Sequence, residues 1–111
     1  MAATLRREER LRDARDFRRA NRSGKRRVSR HFVAVVAASR EPGAAKLGLA
    51  VSRRVGNAVA RNRVKRRIRE WFRQERGRLP QDTDWVLIAR AGAAELPAPV
   101  ARRELDELAA R

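Results

Sequence analysis

The stretch Lys46–Arg78, KLGLAVSRRVGNAVARNRVKRRIREWFRQERGR, decides how the chain folds. Leu47, Leu49 and Val51 alternate with Gly48, Ala50 and Ser52, which is the period of a strand. Ser52, Gly56 and Asn57 then punctuate the chain, and Gly56-Asn57 reads as a turn and a helix start. From about Ala58 the apolar residues fall at Ala60, Val64, Ile68, Trp71 and Phe72, a narrow helical stripe. Gly77 is expected to end this helix, with Pro80 completing the break. Around the stripe stand Arg61, Arg63, Lys65, Arg66, Arg67, Arg69 and Arg73, opposed only by Glu70 and Glu75. At about 100° per residue, Asn62, Lys65, Arg66, Arg69 and Arg73 gather on the side away from the stripe. Arg61 lies at its edge, and Arg63 and Arg67 flank its other side. A merely solvated helix face usually mixes signs and pairs charges one turn apart. Here the signs barely mix, so one face packs on a sheet and the other is expected to meet a polyanion.

The totals agree. Lys and Arg number 29 against 13 Asp and Glu, a formal net charge of +16 on 111 residues. Self-repulsion at that charge destabilises a compact state, so an anionic partner is the natural compensation. RNA, DNA and an anionic membrane all carry the charge. A membrane-surface helix wants bulky apolar residues along a whole face, whereas this stripe is narrow and suits an internal sheet. Most of the cations are arginine, whose planar fork grips phosphate bidentately and stacks on bases. The length predicts one domain with a modest core. There is no cysteine, so disulfides and thiolate metal sites are excluded, and the lone His31 cannot build a histidine metal site. No apolar run approaches the roughly 20 residues that cross a bilayer. The N-terminal residues lack the apolar core of a secretion signal, and a cytoplasmic location is expected.

Outward from the central stretch, residues 1–10 read as a loose tail of mixed charge, and residues 11–111 as the single domain. Asp13 caps a short helix to about Arg22, stopped by Gly24, with Phe17 anchoring it to the core. Gly24–Arg30 is a basic loop or short strand with Val28 turned inward. His31–Ser39 is a strand apolar on both faces: Phe32, Ala34 and Val36 on one, Val33, Val35 and Ala37 on the other. One face needs helices over it. The second would be an exposed apolar patch unless a helix or a ligand covers it, and a shallow groove for unstacked bases would explain such a patch. Arg40–Gly43 is a turn linking antiparallel neighbours. Asp84–Ala91 is the last strand, with Trp85 in the core or at its rim. Pro97 or Pro99 opens a closing helix that turns Val100, Leu105 and Leu108 inward. Asp82 and Asp84 read as a turn and solubility pair, and Glu104, Asp106 and Glu107 as the exposed side of the last helix.

The segment Gly56–Arg69, GNAVARNRVKRRIR, with the strand Leu47–Arg54, LGLAVSRR, before it, closely resembles the signature of the bacterial ribonuclease P protein subunit. The likeness extends more loosely over about residues 11 to 108. It implies an α+β fold, a small two-layer sandwich of about four mostly antiparallel strands and three helices. It also implies a left-handed crossover, where a strand-helix-strand order alone predicts a right-handed one. In that family the RNA subunit is the catalyst, working with magnesium ions held mainly by RNA and substrate, and water cleaves the bond that frees the 5′ leader of precursor tRNA. The implied partners are therefore ribonuclease P RNA and precursor tRNA, with no membrane and no small-molecule substrate. The resemblance assigns Arg61, Asn62, Arg63, Lys65, Arg66 and Arg69 to the catalytic RNA, and Arg53, Arg54 and Asn57 to phosphates near the turn. It assigns a strand-face groove bordered by Phe17, Val33, Val35, Arg61 and Lys65 to the leader. Asn21 and Val35 stand where relatives often carry aromatics. Stacking, worth roughly 1–3 kcal/mol per base, is expected to be weaker here, with leader binding leaning on arginine.

The inventory for self-contained catalysis is thin. There is no cysteine nucleophile and no second histidine for a proton relay. The carboxylates are scattered, and two-metal nucleases need them converging on ions a few ångström apart. Neither a P-loop nor a dinucleotide fingerprint occurs. The competing reading is a structural RNA-binding protein, such as a small ribosomal protein, which charge and size fit equally.

Overall fold

Strand alternation on both faces of Phe32–Ala38 sets the architecture, because each face has to be covered. The computed structural model describes residues 9–11 and 13–110. Its strands are β1 (Lys25–Val28), β2 (Phe32–Ala38), β3 (Lys46–Val51) and β4 (Thr83–Ala89). Its helices are α1 (Ala14–Ser23), α2 (Ala58–Glu75) and α3 (Ala98–Ala110). They form one mixed sheet in the order β1-β2-β4-β3, antiparallel except for the parallel pair β3 and β4. Helix α2 carries the chain from β3 to its parallel neighbour β4. The turn after β2 does not join neighbours: β2 and β3 run in opposite directions, but β4 lies between them.

Parity along the strands assigns the faces. Phe32, Ala34, Leu47, Trp85, Leu87 and Ala89 pack with Val64, Ile68, Trp71 and Phe72 of α2 and with Ala101, Leu105 and Leu108 of α3. Val33, Val35, Ala37 and Val86 pack on the other side with Leu11 and Ala20, and with the half-buried Phe17 and Ile88. Fully burying a side chain of the size of Phe72 or Leu87 stabilises by roughly 1.5–3 kcal/mol, so the first cluster is the main source of stability. Two indole groups enter it without losing their hydrogen bonds. Trp71 Nε1 donates to Asp106 Oδ1 at 2.8 Å, and Trp85 Nε1 to Thr83 Oγ1 at 3.0 Å. The Arg27 guanidinium sits 5.4 Å from the centre of the Trp85 ring.

Several local expectations are revised. Residues 1–8 lie outside the described residues, but Glu9 and Arg10 belong to the fold rather than to a loose tail. Glu9 is buried beside Arg76, and Arg10 bridges to Leu47 on the edge of β3. Val28 is 48% exposed rather than turned inward, because β1 is an edge strand whose far end no helix covers. Val100 also faces solvent, and Ala101 takes the inward position one residue later. Gly77 does not close α2 in a left-handed conformation. The helix tightens instead into a 3₁₀ turn over Arg76–Arg78, a common helix ending.

Carboxylates read as surface groups turn out to be ties. Asp84 is 1% exposed and accepts from Arg19 at 3.0 Å. Asp82, at φ 61°, accepts from the Gly43 N–H at 2.7 Å and pins the loop after β2. Glu104 accepts from Ser29 Oγ and the His31 N–H, both at 2.5 Å, and from His31 Nδ1 at 3.0 Å. That joins α3 to the turn between β1 and β2. Burial opposes ionisation of Glu104, but donation from Ser29 and His31 prevails and its pKa falls.

Candidate nucleic-acid interface

Helix α2 begins as its sequence dictates. Gly56 has φ +150°, a conformation other residues rarely adopt. Asn57 then caps the helix, its Oδ1 accepting the Ala60 N–H at 2.9 Å. The Asn57 side-chain oxygen is thus committed to the backbone as the helix start expected there, rather than free for phosphate contact.

Val64, Ile68, Trp71 and Phe72 fix the buried side of α2, and the cations divide around it. Arg63 Nη1 reaches the Ala94 carbonyl at 3.5 Å, and Arg67 Nη1 the Leu96 carbonyl at 2.5 Å. Those two arginines lie on the flank facing the segment before α3. By helical phase Arg61, Lys65 and Arg69 occupy the opposite flank, beyond the edge strand β3, and Asn62 and Arg66 the outward face. The structure therefore separates Arg63 from the other members of the signature cluster. It also gives Arg67 a partner in the fold.

Charge pairing separates structural cations from available ones. Arg73 pairs with Glu70 at 2.6 Å and Arg102 with Glu75 at 3.1 Å. Arg76 donates to the Ala45 carbonyl at 2.7 Å and lies 3.5 Å from Glu9. Among the described residues no carboxylate pairs with Arg53, Arg54, Arg61, Lys65, Arg66 or Arg69. Arg61 is half-buried and its Nε has no hydrogen-bond partner. A buried N–H left without an acceptor costs free energy, which an incoming anion relieves.

The second face of the sheet is only half covered. Helix α1 crosses over Gly48, Val86 and Val35, with Phe17 against Gly48 and Gly24 close to Val35. One row lies past it: Val28 pairs with Val33, Val33 with Ile88, and Ile88 with Ala50, spanning all four strands. Val33 is buried at the base of this row with Ile88 half-buried beside it, Phe17 stands on the helix side, and Val28 and Ala50 lie exposed at the two ends. Val35, at 0% exposure, is underneath α1 and offers no surface to a ligand. Ile88, Val28 and Ala50 were missed. Their strand parity was readable, but their alignment depends on the strand order. Asn21 is exposed on α1.

Among the described residues no three His, Asp or Glu side chains converge, and Glu104 and Asp106 are engaged within the fold. Nor is any helix of the described residues long and apolar enough to cross a membrane.

One mixed sheet, with helices on both faces and a cationic helix flank that no carboxylate of the described residues answers, defines a small basic α+β protein. The chain matches the family model described as Ribonuclease P over residues 5–111. The ribonuclease P protein component of Syntrophobacter fumaroxidans is 44% identical over 105 residues, covering 94% of this chain and 87% of the relative. That of Shouchella clausii is 38% identical over 104 residues, covering 94% and 85%. Among solved structures, the RNase P protein of Staphylococcus aureus superposes with a TM-score of 0.83 at 31% identity, covering 90% of this chain and 91% of that one. The RNase P protein of Thermotoga maritima gives 0.81 at 33% identity, covering 91% and 94%. The chain belongs to the ribonuclease P protein family, whose members are tRNA-processing proteins.

Proposed function

We propose that this chain is the protein subunit of ribonuclease P, which binds the catalytic RNA and the 5′ leader of precursor tRNA in the cytoplasm. Arg61, Asn62, Lys65, Arg66 and Arg69, with Arg53 and Arg54 at the turn, take RNA phosphates. Arg63, exposed on the other flank, extends the same contact around the helix. The leader lies along the row from Val28 to Ala50, with Phe17 beside it and Arg61 and Lys65 at the β3 edge. On this reading the chemistry belongs to the RNA, with magnesium held by RNA and substrate, and the side chains named above act as cations and apolar supports. The protein's contribution is electrostatic: it neutralises phosphates and positions the strand to be cut.

The observation that carries this reading is the set of six cations on α2 and its leading turn without carboxylate partners among the described residues, within a family of tRNA-processing proteins. Family membership speaks against the ribosomal-protein reading. Reconstitution tests it. Purified protein is mixed with precursor tRNA, with and without a bacterial ribonuclease P RNA, at moderate and low magnesium. Processing at low magnesium that requires both components is the expected result. Tight binding to ribosomal RNA fragments with no stimulation of processing would overturn it.

A further inference from the structure

Helix α1 has a second flank. With Asp16 and Ala20 on its buried side, a turn of 100° per residue sends Phe17 and Asn21 toward the sheet groove and Arg15, Arg18, Arg19 and Arg22 the other way. Opposite them stands Arg40, from the loop after β2. Arg15, Asp16, Arg18, Arg19, Arg22 and Arg40 line a cleft of about 350 Å³.

Its ion pairs divide the arginines into fixed and available. Asp16 holds Arg40 at 2.6 Å and Arg19 at 3.5 Å, and Arg19 also reaches Asp84 at 3.0 Å. Asp13 holds Arg15 and Arg40, each at 3.1 Å. Arg19 and Arg40 are thereby locked in place as a floor, and Arg19 Nε is buried without an acceptor. Arg18 and Arg22 are exposed at the rim, and neither pairs with a carboxylate among the described residues. Five guanidiniums face three aspartates, so the cleft is cationic and partly preorganised. Its rim residues, Arg18 and Arg22, are four residues apart on one side of the helix, about 6 Å along the axis. That repeat suits successive phosphates of a backbone better than one small anion. Arginine's planar fork favours phosphate oxygens as the ligand.

We propose that this cleft is a second RNA-phosphate site, gripping a backbone segment separate from the strand in the sheet groove. The separation is geometric. Groove and cleft lie on opposite flanks of a helix about 10 Å thick, and the row from Val28 to Ala50 crosses the strands on the Phe17 side only. The inference rests on the RNA-binding reading above and extends it to a surface outside the signature helix.

The test uses the full chain carrying Arg18→Gln and Arg22→Gln together. Affinity is measured against salt in two arms: catalytic RNA alone, and precursor tRNA added to the preformed protein–RNA complex. Each lost phosphate contact lowers the magnitude of the salt slope by roughly 0.7–0.9. The expected result is a fall of about one to two units in one arm, and that arm identifies the RNA gripped. The Arg18→Lys, Arg22→Lys pair keeps the charge and is expected to restore the slope, which a folding defect would not predict. Unchanged slopes in both arms, while Arg66→Ala still lowers its own, would overturn the second site and leave the proposed function standing. Salt-independent binding by the unmodified protein would overturn both.

Discussion

The Phe17 ring rests directly on the backbone of Gly48: a Cβ built there would lie 2.5 Å from Phe17 Cε1 and Cζ. The glycine is what lets α1 sit close to the sheet while leaving the next row open. Gly48→Ala should push the ring away and cost about 1–3 kcal/mol, as overpacking does. Thermal unfolding reads this as a lower Tm, and an unchanged Tm would mean the contact is not tight.

Phe17→Ala separates anchoring from leader binding. Phe17 is half-buried, so the stability loss should stay below the roughly 3–5 kcal/mol of a fully buried Phe truncation. Where both proteins are folded, affinity for precursor tRNA with a leader should drop, and affinity for leaderless tRNA should not. Equal losses for the two substrates would remove Phe17 from the groove.

Arg66 and Arg67 are adjacent and should behave oppositely. Arg66→Ala removes an exposed, unpaired cation, so affinity for the catalytic RNA falls and the salt slope loses about one contact, with Tm unchanged. Arg67→Ala removes the donor to the Leu96 carbonyl and should cost about 1 kcal/mol of stability with a smaller effect on the slope. Reversed phenotypes would refute the division of α2 into two flanks.

Acid should loosen the ties of α1. The hydrogen bond from Arg15 holds Asp13 down at about 2, and the hydrogen bond from Arg40 lowers Asp16. For acids with lowered pKa values, stability is present above the unfolded value near 4 and is lost as pH falls toward the folded one. Asp84 works in reverse: burial raises its pKa, so its protonation favours the folded state and offsets part of the loss. Chemical denaturation should therefore show a decline from about pH 4 to pH 2, reduced in Asp13→Asn. An Asp13→Asn protein with the same pH dependence as the parent would exclude that carboxylate.

Period-two alternation and the helical stripe were enough to place β2, β3, β4 and α2 in the sequence, since each reflects which side chains face the core. The caps Asp13 and Asn57 were readable because a side-chain acceptor before an apolar stripe has one efficient use. Strand order was not readable: alternation assigns a residue to a face but says nothing about which strand lies next. That is why Ile88 went unnoticed. Val35 came into the groove with the resemblance, and only the seat of α1 over it shows that it is covered. Long-range partners were equally hidden. Nothing near Asp84 in sequence announces Arg19, 65 positions away, and nothing near Glu104 announces His31. Around α2, phase separated Arg61 from Arg63, but only the carbonyls of Ala94 and Leu96 gave the second flank its structural role.

Placing β4 between β2 and β3 has a consequence for synthesis. Of the two strands bonded on both sides within the sheet, β2 and β4, the second is the last strand to leave the ribosome. Until Thr83–Ala89 emerges, the two earlier edges have no template and α2 has only a partial platform. Nascent chains halted before Thr83 should remain protease-sensitive along their whole length, with protection arriving in a single step rather than in stages.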